Sequence, residues 1–153
     1  MTSDLGSFVP ATLELALAGM LIAVVLAVLL AFSTTLKWRG ANVLRAVLFT
    51  GSAAPMFLLG ILGLIVFYQD LGWVPAGGRS AVPSPPTGPT GMLTVDGLLN
   101  GRLDVVSDAA HHLILPAFVI AIGPAVAIGR VLRSSLLADI DSDYARTARA
   151  KGL

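Results

Sequence analysis

The side chains able to do chemistry are few, and the first is a lone acid. Glu14 is the only charged residue in the apolar run PATLELALAGMLIAVVLAVLLAF, residues 10–32. Holding a carboxylate inside a bilayer costs about 3 kcal/mol or more, so such an acid is by default a candidate functional site. Glu14 lies only about one turn from the start of its run, with Thr12 beside it. A carboxylate there reaches lipid headgroups and suits the positive N-terminal end of a helix. A structural role at the headgroups is the expectation.

His111 and His112 are adjacent. Neighbouring side chains on a helix point about 100° apart, so the pair chelates poorly without further ligands. The chain has no Cys and no H-E-x-x-H pattern. An interfacial histidine pair, and no metal site, is expected. The lack of Cys also excludes disulfides, thiolate centres and cysteine nucleophiles. Neither a G-x-x-x-x-G-K-[ST] phosphate loop nor a G-x-S-x-G elbow occurs. The sequence therefore predicts no catalytic residue, no cofactor and no nucleic-acid binding in this chain, and no enzyme.

Two other groups of residues carry a functional expectation. Pro55, Pro116 and Pro124 fall inside apolar stretches, where each removes a backbone hydrogen bond and favours a kink. With Gly51, Gly60, Gly63, Gly123 and Gly129 nearby, such helices pack closely and can line a path. The second group is the ending, DSDYARTARAKGL. Asp143 is a good N-cap for a helix from Tyr144 to about Lys151, and Gly152 is a good C′ residue, where positive φ is usual. Ala145, Thr147, Ala148 and Ala150 are small and permit close approach. Arg146, Arg149 and Lys151 add charge, and Tyr144 adds an aromatic anchor. Such a helix suits a groove on a cytoplasmic partner or an anionic lipid surface, and its composition fits both.

The elements that must position these residues are membrane spans. The chain of 153 residues is 56% hydrophobic and 12% charged, where a soluble domain has about 25% charged residues. Its mean hydropathy is +0.85. A spanning helix needs about 20 apolar residues. Three stretches qualify, and the reading is an all-α membrane protein with transmembrane helices at about 10–34, 44–69 and 110–134. The first is not a secretory signal, because MTSDLGSFVP carries no Lys or Arg and the run is too long for an h-region. Eight of the ten basic residues lie at one side, with Lys37, Arg39 and Arg45 between the first span and the start of the second, and Arg130, Arg133, Arg146, Arg149 and Lys151 at or beyond the end of the third. The positive-inside rule makes that side cytoplasmic. The N-terminus and residues 69–110 are then extracytoplasmic. Residues 72–91, GWVPAGGRSAVPSPPTGPTG, read as an irregular loop, either a linker or the lining of a substrate entrance. VDGLLNGRLDVVSDAAHHL reads as one or two short interfacial helices. A chain starting outside without a leader is expected to be cut at its front.

The ordered motifs resemble one family. DYARTARAKG resembles the cytoplasmic coupling loop of binding-protein-dependent ABC importer permeases of the dipeptide, oligopeptide and nickel branch. That loop has the pattern E-A-A-x-x-x-G, with Arg146 and Thr147 in place of its first two letters. ATLELALAG, APMFLLGILGLIVF followed by LGWVPAGG, and HHLILPAFVIAI with RVLRSSLL resemble the second, third and fourth helices of the same branch. The resemblance covers residues 8–153. It implies a fragment, residues 1–153, of a six-helix permease, holding helices two to four and the start of the coupling loop at 135–153. It lacks the first helix and the last two. By the same resemblance, Asp143, Tyr144, Arg146, Thr147, Ala148, Arg149, Ala150, Lys151 and Gly152 contact ATPase subunits. The implied partners are a second permease subunit, two cytoplasmic ATPase subunits, an extracytoplasmic substrate-binding protein and the lipid bilayer. The implied location is the bacterial cytoplasmic membrane, and the implied role is peptide import. A membrane scaffold or a non-functional permease fragment is the alternative. Nothing in the spans selects among dipeptide, oligopeptide, nickel and glutathione.

Overall fold

The computed structural model of this chain describes residues 2–33, 40–85 and 88–140. Among them every regular element is helical. In chain order these are α1 (Thr2–Phe32), α2 (Ala41–Ala53), α3 (Met56–Gly63) with a π-helical continuation over Leu64–Asp70, α4 (Leu93–Leu99) and α5 (Leu103–Ile140). Two of them contain segments long and apolar enough to cross a membrane, Phe8–Phe32 in α1 and Leu103–Ala138 in α5.

Proline position explains where helices break. Pro55 has no N–H, and its ring disfavours helical geometry in the residue before it. The expected helix at 44–69 is accordingly not continuous. Pro55 takes φ −58° and ψ 135° and stands just before α3. Its carbonyl accepts the amides of Leu58 and Leu59 at 3.0 and 3.3 Å and so starts the new helix. Pro116 and Pro124 act differently, since α5 runs straight through both. Each leaves the carbonyl four residues earlier, at His112 and Ile120, without its usual helical donor.

The expectation at 110–134 is also too short. Residues 103–109 form the first two turns of α5 rather than a separate interfacial helix, and only Leu93–Leu99 stands alone. At about 1.5 Å per residue, the 38 residues of α5 exceed the roughly 30 Å hydrocarbon thickness.

The chain divides into two compact units, Met1–Ile22 with Ala54–Ala121, and Ala23–Ala53 with Ile122–Leu153. In the first, Val105, Ala109, Ala117 and Ala121 are buried. Gly19 of α1 lies against α5 so closely that a Cβ there would sit 2.6 Å from Ile120 Cδ1. In the second, Leu30, Leu48 and Val126 form an interior with Leu26 and Leu44 packed on it. Gly129 abuts α1, where an added Cβ would lie 2.8 Å from Leu30 Cδ2 and 3.3 Å from the Ala27 carbonyl. The Arg130 guanidinium lies 5.5 Å from the centre of the Phe49 ring, a cation–π distance.

Most of what α1 buries is small, with Ala23, Ala27 and Ala31 all at or below 1% exposure and Leu30, among the described residues, the one large apolar side chain buried with them. Its large side chains, Leu17, Met20, Leu21 and Val25, point outward. That inverts the pattern of a soluble helix and matches packing in lipid, where small residues let backbones approach.

Candidate functional site

Four charged residues of the first unit, Glu14, Arg79, Asp96 and Asp108, meet at the segment between the π-helical turn and α5. Glu14 is the anchor. Its side chain is 6% exposed and pairs with Arg79 at 3.0 Å. The other carboxylate oxygen accepts the Thr94 amide and hydroxyl, both at 2.7 Å. Thr94 is in the first turn of α4, where backbone amides have no helical acceptor, so Glu14 supplies one from another helix. The expectation that Glu14 lies at the lipid headgroups is therefore corrected. The acid is enclosed by protein, and it ties residues 79 and 94 to α1. Arg79 also donates to the Gly91 carbonyl at 3.0 Å.

A second carboxylate organises the turn before α4. Asp96 is 1% exposed. It accepts the Thr90 hydroxyl at 2.7 Å, the Thr90 amide at 3.2 Å and the Gly91 amide at 2.8 Å. Gly91 takes φ +70°, a region open to glycine at little cost. Gly88 lies directly on the Asp96 carboxylate, with no space for a Cβ. Burial pushes the Asp96 carboxyl up, but the hydrogen bonds from Thr90, Gly91 and Gly88 outweigh it and hold it below the ordinary aspartate range.

A third carboxylate fixes the start of the loop. Asp108 on α5 accepts the Ser80 hydroxyl at 2.5 Å and the Ala81 amide at 2.7 Å. The adjacent histidines separate in role. His111 meets the Trp73 carbonyl through Nε2 at 2.5 Å, and His112 meets the Asp108 carbonyl through Nδ1 at 2.8 Å. Among the described residues no cluster of three or more His, Cys, Asp or Glu is placed to hold a metal.

Glu14, Asp96 and Asp108 thus fasten residues 73–94 to α1, α4 and α5. The arrangement shapes cavities, one of about 340 Å³ lined by Glu14, Met92, Thr94 and Leu113, and another of about 580 Å³ lined by Phe57, Gly77, His112 and Pro116. Of the three proline candidates, Pro116 lines that second cavity. Pro55 stands between α2 and α3, and Pro124 belongs to the other unit. Asp143, Tyr144 and Arg146 to Gly152 lie outside the described residues. Arg79, Thr94 and Asp96 were not singled out from the sequence. The one available signal was that Glu14 had to find a cation and that few lay in the loop.

Residues 19–153 match the family described as binding-protein-dependent transport system inner membrane component. The chain belongs to that family. Similar members include a probable D,D-dipeptide transport system permease protein of Escherichia coli, 38% identical over 98% of this chain and 45% of the relative. A di/tripeptide transport system permease protein of Pseudomonas aeruginosa is 40% identical over 94% of this chain and 44% of the relative. A putrescine export system permease protein of Escherichia coli is 28% identical over 94% and 46%. The chain thus spans less than half the length of these relatives. No solved structure matches it. The family is one of transport-system membrane components, in keeping with the apolar helices α1 and α5.

Proposed function

We propose that the chain is the central membrane-spanning part of a permease that imports short peptides across the bacterial cytoplasmic membrane, driven by ATP. The observation that carries this reading is the family match over residues 19–153, together with peptide-permease relatives at 38 and 40% identity. The outward large side chains of α1 support a lipid-facing surface. In this reading α1 and α5 cross the bilayer. Residues 41–70 make the second crossing, broken at Pro55. A break at membrane depth is tolerated where protein or a water-lined cavity satisfies the freed backbone groups. Residues 72–91 lie outside, and residues 143–152 receive the ATPase stroke. Partners are a second permease subunit, two ATPase subunits and an external binding protein.

The test uses the full-length permease with these partners in proteoliposomes. Uptake of labelled dipeptide that requires ATP and the binding protein is expected. Uptake of putrescine without uptake of any peptide overturns the substrate reading. Correct assembly with no uptake at all favours the scaffold alternative.

A further inference from the structure

His112 carries a polar atom that the loop anchoring does not use. Its side chain is 6% exposed. A carbonyl only accepts, so Nδ1 carries a proton and donates it to the Asp108 carbonyl, and in the neutral ring Nε2 then carries the lone pair. Nε2 has no hydrogen-bond partner among the described residues, yet no fully buried side-chain nitrogen or oxygen there is unpaired. Nε2 therefore opens onto free space.

Two cavities meet at this ring. The larger, about 580 Å³, has His112, Gly78 and Pro116 in its wall, with Phe57 and Ile61 opposite. The smaller, about 210 Å³, shares His112, Gly78 and Pro116 and adds Glu14 and Arg79. A Cβ at Gly78 would lie 4.0 Å from His112 Cδ2, the carbon bonded to Nε2. The open ring edge therefore faces the wall that both cavities share. Arg79 is 38% exposed. Its Nη2 is engaged by Glu14 and Gly91, and its Nη1 and Nε make no hydrogen bond to the described residues.

We propose that these groups form a subsite for the C-terminal residue of a short peptide. Arg79 takes the carboxylate on its free edge, His112 Nε2 accepts the last peptide N–H, and the larger cavity takes an apolar side chain. Glu14 is a positioning residue that fixes the guanidinium. The proposal rests on the peptide-importer reading above and adds the residues that read the peptide. The polar pair has opposite demands, one a donor and one an acceptor. A phospholipid phosphate offers acceptors alone and leaves Nε2 unmatched. A peptide end satisfies both. The larger volume falls in the range of about 300–1,000 Å³ usual for ligand sites.

The test compares uptake of Ala-Phe with uptake of alanyl-phenyllactate, in which an ester oxygen replaces the peptide N–H. It uses the full complex with wild-type permease, His112→Ala and His112→Gln. The binding protein is the same throughout, so any change in preference belongs to the permease. His112→Ala is expected to raise the KM for Ala-Phe roughly threefold to tenfold, to keep the maximal rate, and to shrink the preference for peptide over ester by a similar factor. An unchanged preference overturns the proposal, because a merely structural role moves both substrates alike. A second measurement leaves His112 intact. The 153 residues here hold no Cys, so Val119→Cys in the larger cavity adds a thiol to the complex, with any cysteines elsewhere in it replaced by serine. Its reaction with a maleimide is expected to slow with saturating Ala-Phe. A rate that depends on lipid composition and not on peptide assigns the cavity to lipid and overturns the proposal. If the wild-type complex takes up no peptide, the importer reading falls as well. If it does and the preference is unmoved, only the subsite falls.

Discussion

Glu14 shows what one buried acid does when three donors surround it. Removing one partner of such a pair leaves the other unmatched, which costs more than the pair itself contributes. Arg79 remains 38% exposed, so water compensates part of that loss. Glu14→Ala is expected to destabilise the full-length complex by about 1–3 kcal/mol. Adding Arg79→Ala is expected to cost less than its single effect, with a coupling near 1 kcal/mol in a denaturation double-mutant cycle. Strict additivity means the pair is not an anchor. Asp96 gives a pH signature. Its carboxyl is held below the ordinary range, so its stabilisation is complete above the unfolded aspartate value of about 3.9. It is lost as pH falls through the depressed folded value. Amide exchange at Thr90 and Gly91 is therefore expected to quicken, beyond its intrinsic pH dependence, only below about pH 4. In Asp96→Asn it is expected to be fast at every pH. The sequence named Glu14 but not its role, because Arg79 and Thr94 are far along the chain and no local spacing joins them.

Helix α5 offers a matched pair of glycines for testing how the elements pack. A Cβ on Gly129 meets Leu30 at 2.8 Å and the Ala27 carbonyl at 3.3 Å, whereas one on Gly123 meets nothing within 4 Å. Gly129→Leu is expected to lose about 1–3 kcal/mol through overpacking, and Gly123→Leu under about 0.5 kcal/mol. Thermal denaturation of the purified complex measures both, and equal losses contradict this packing. The long apolar runs made α1 and α5 legible from the sequence. Their ends were not, because residues 103–109 and 2–9 are polar enough to read as loop yet continue the helical hydrogen bonding. Pro55 was read as a kink and forms a full break, whereas Pro116 and Pro124 break nothing. A proline near the middle of an apolar run looks the same in all three places. The difference lies in whether the preceding residue leaves helical geometry.

For the whole molecule, the peptide-importer reading proposed above makes residues 143–152 the part on which transport depends. Gly152 is the expected C′ residue of the helix at 144–151, where positive φ favours glycine. Gly152→Val in the full-length permease is expected to abolish peptide uptake while ATP hydrolysis by the partner subunits continues. Unchanged uptake sinks that role. The inverted burial on α1, with alanines inside and most of its leucines outside, has a calorimetric consequence. Lipid tails are as apolar as Leu, so separating these helices within a bilayer exposes little surface to water. The heat-capacity increment that curves the stability of soluble proteins comes from that exposure. Helix separation here should therefore show a small increment and a nearly straight dependence of free energy on temperature. It should have no cold-side maximum of stability, because what separation gives up is close fit and a few ion pairs.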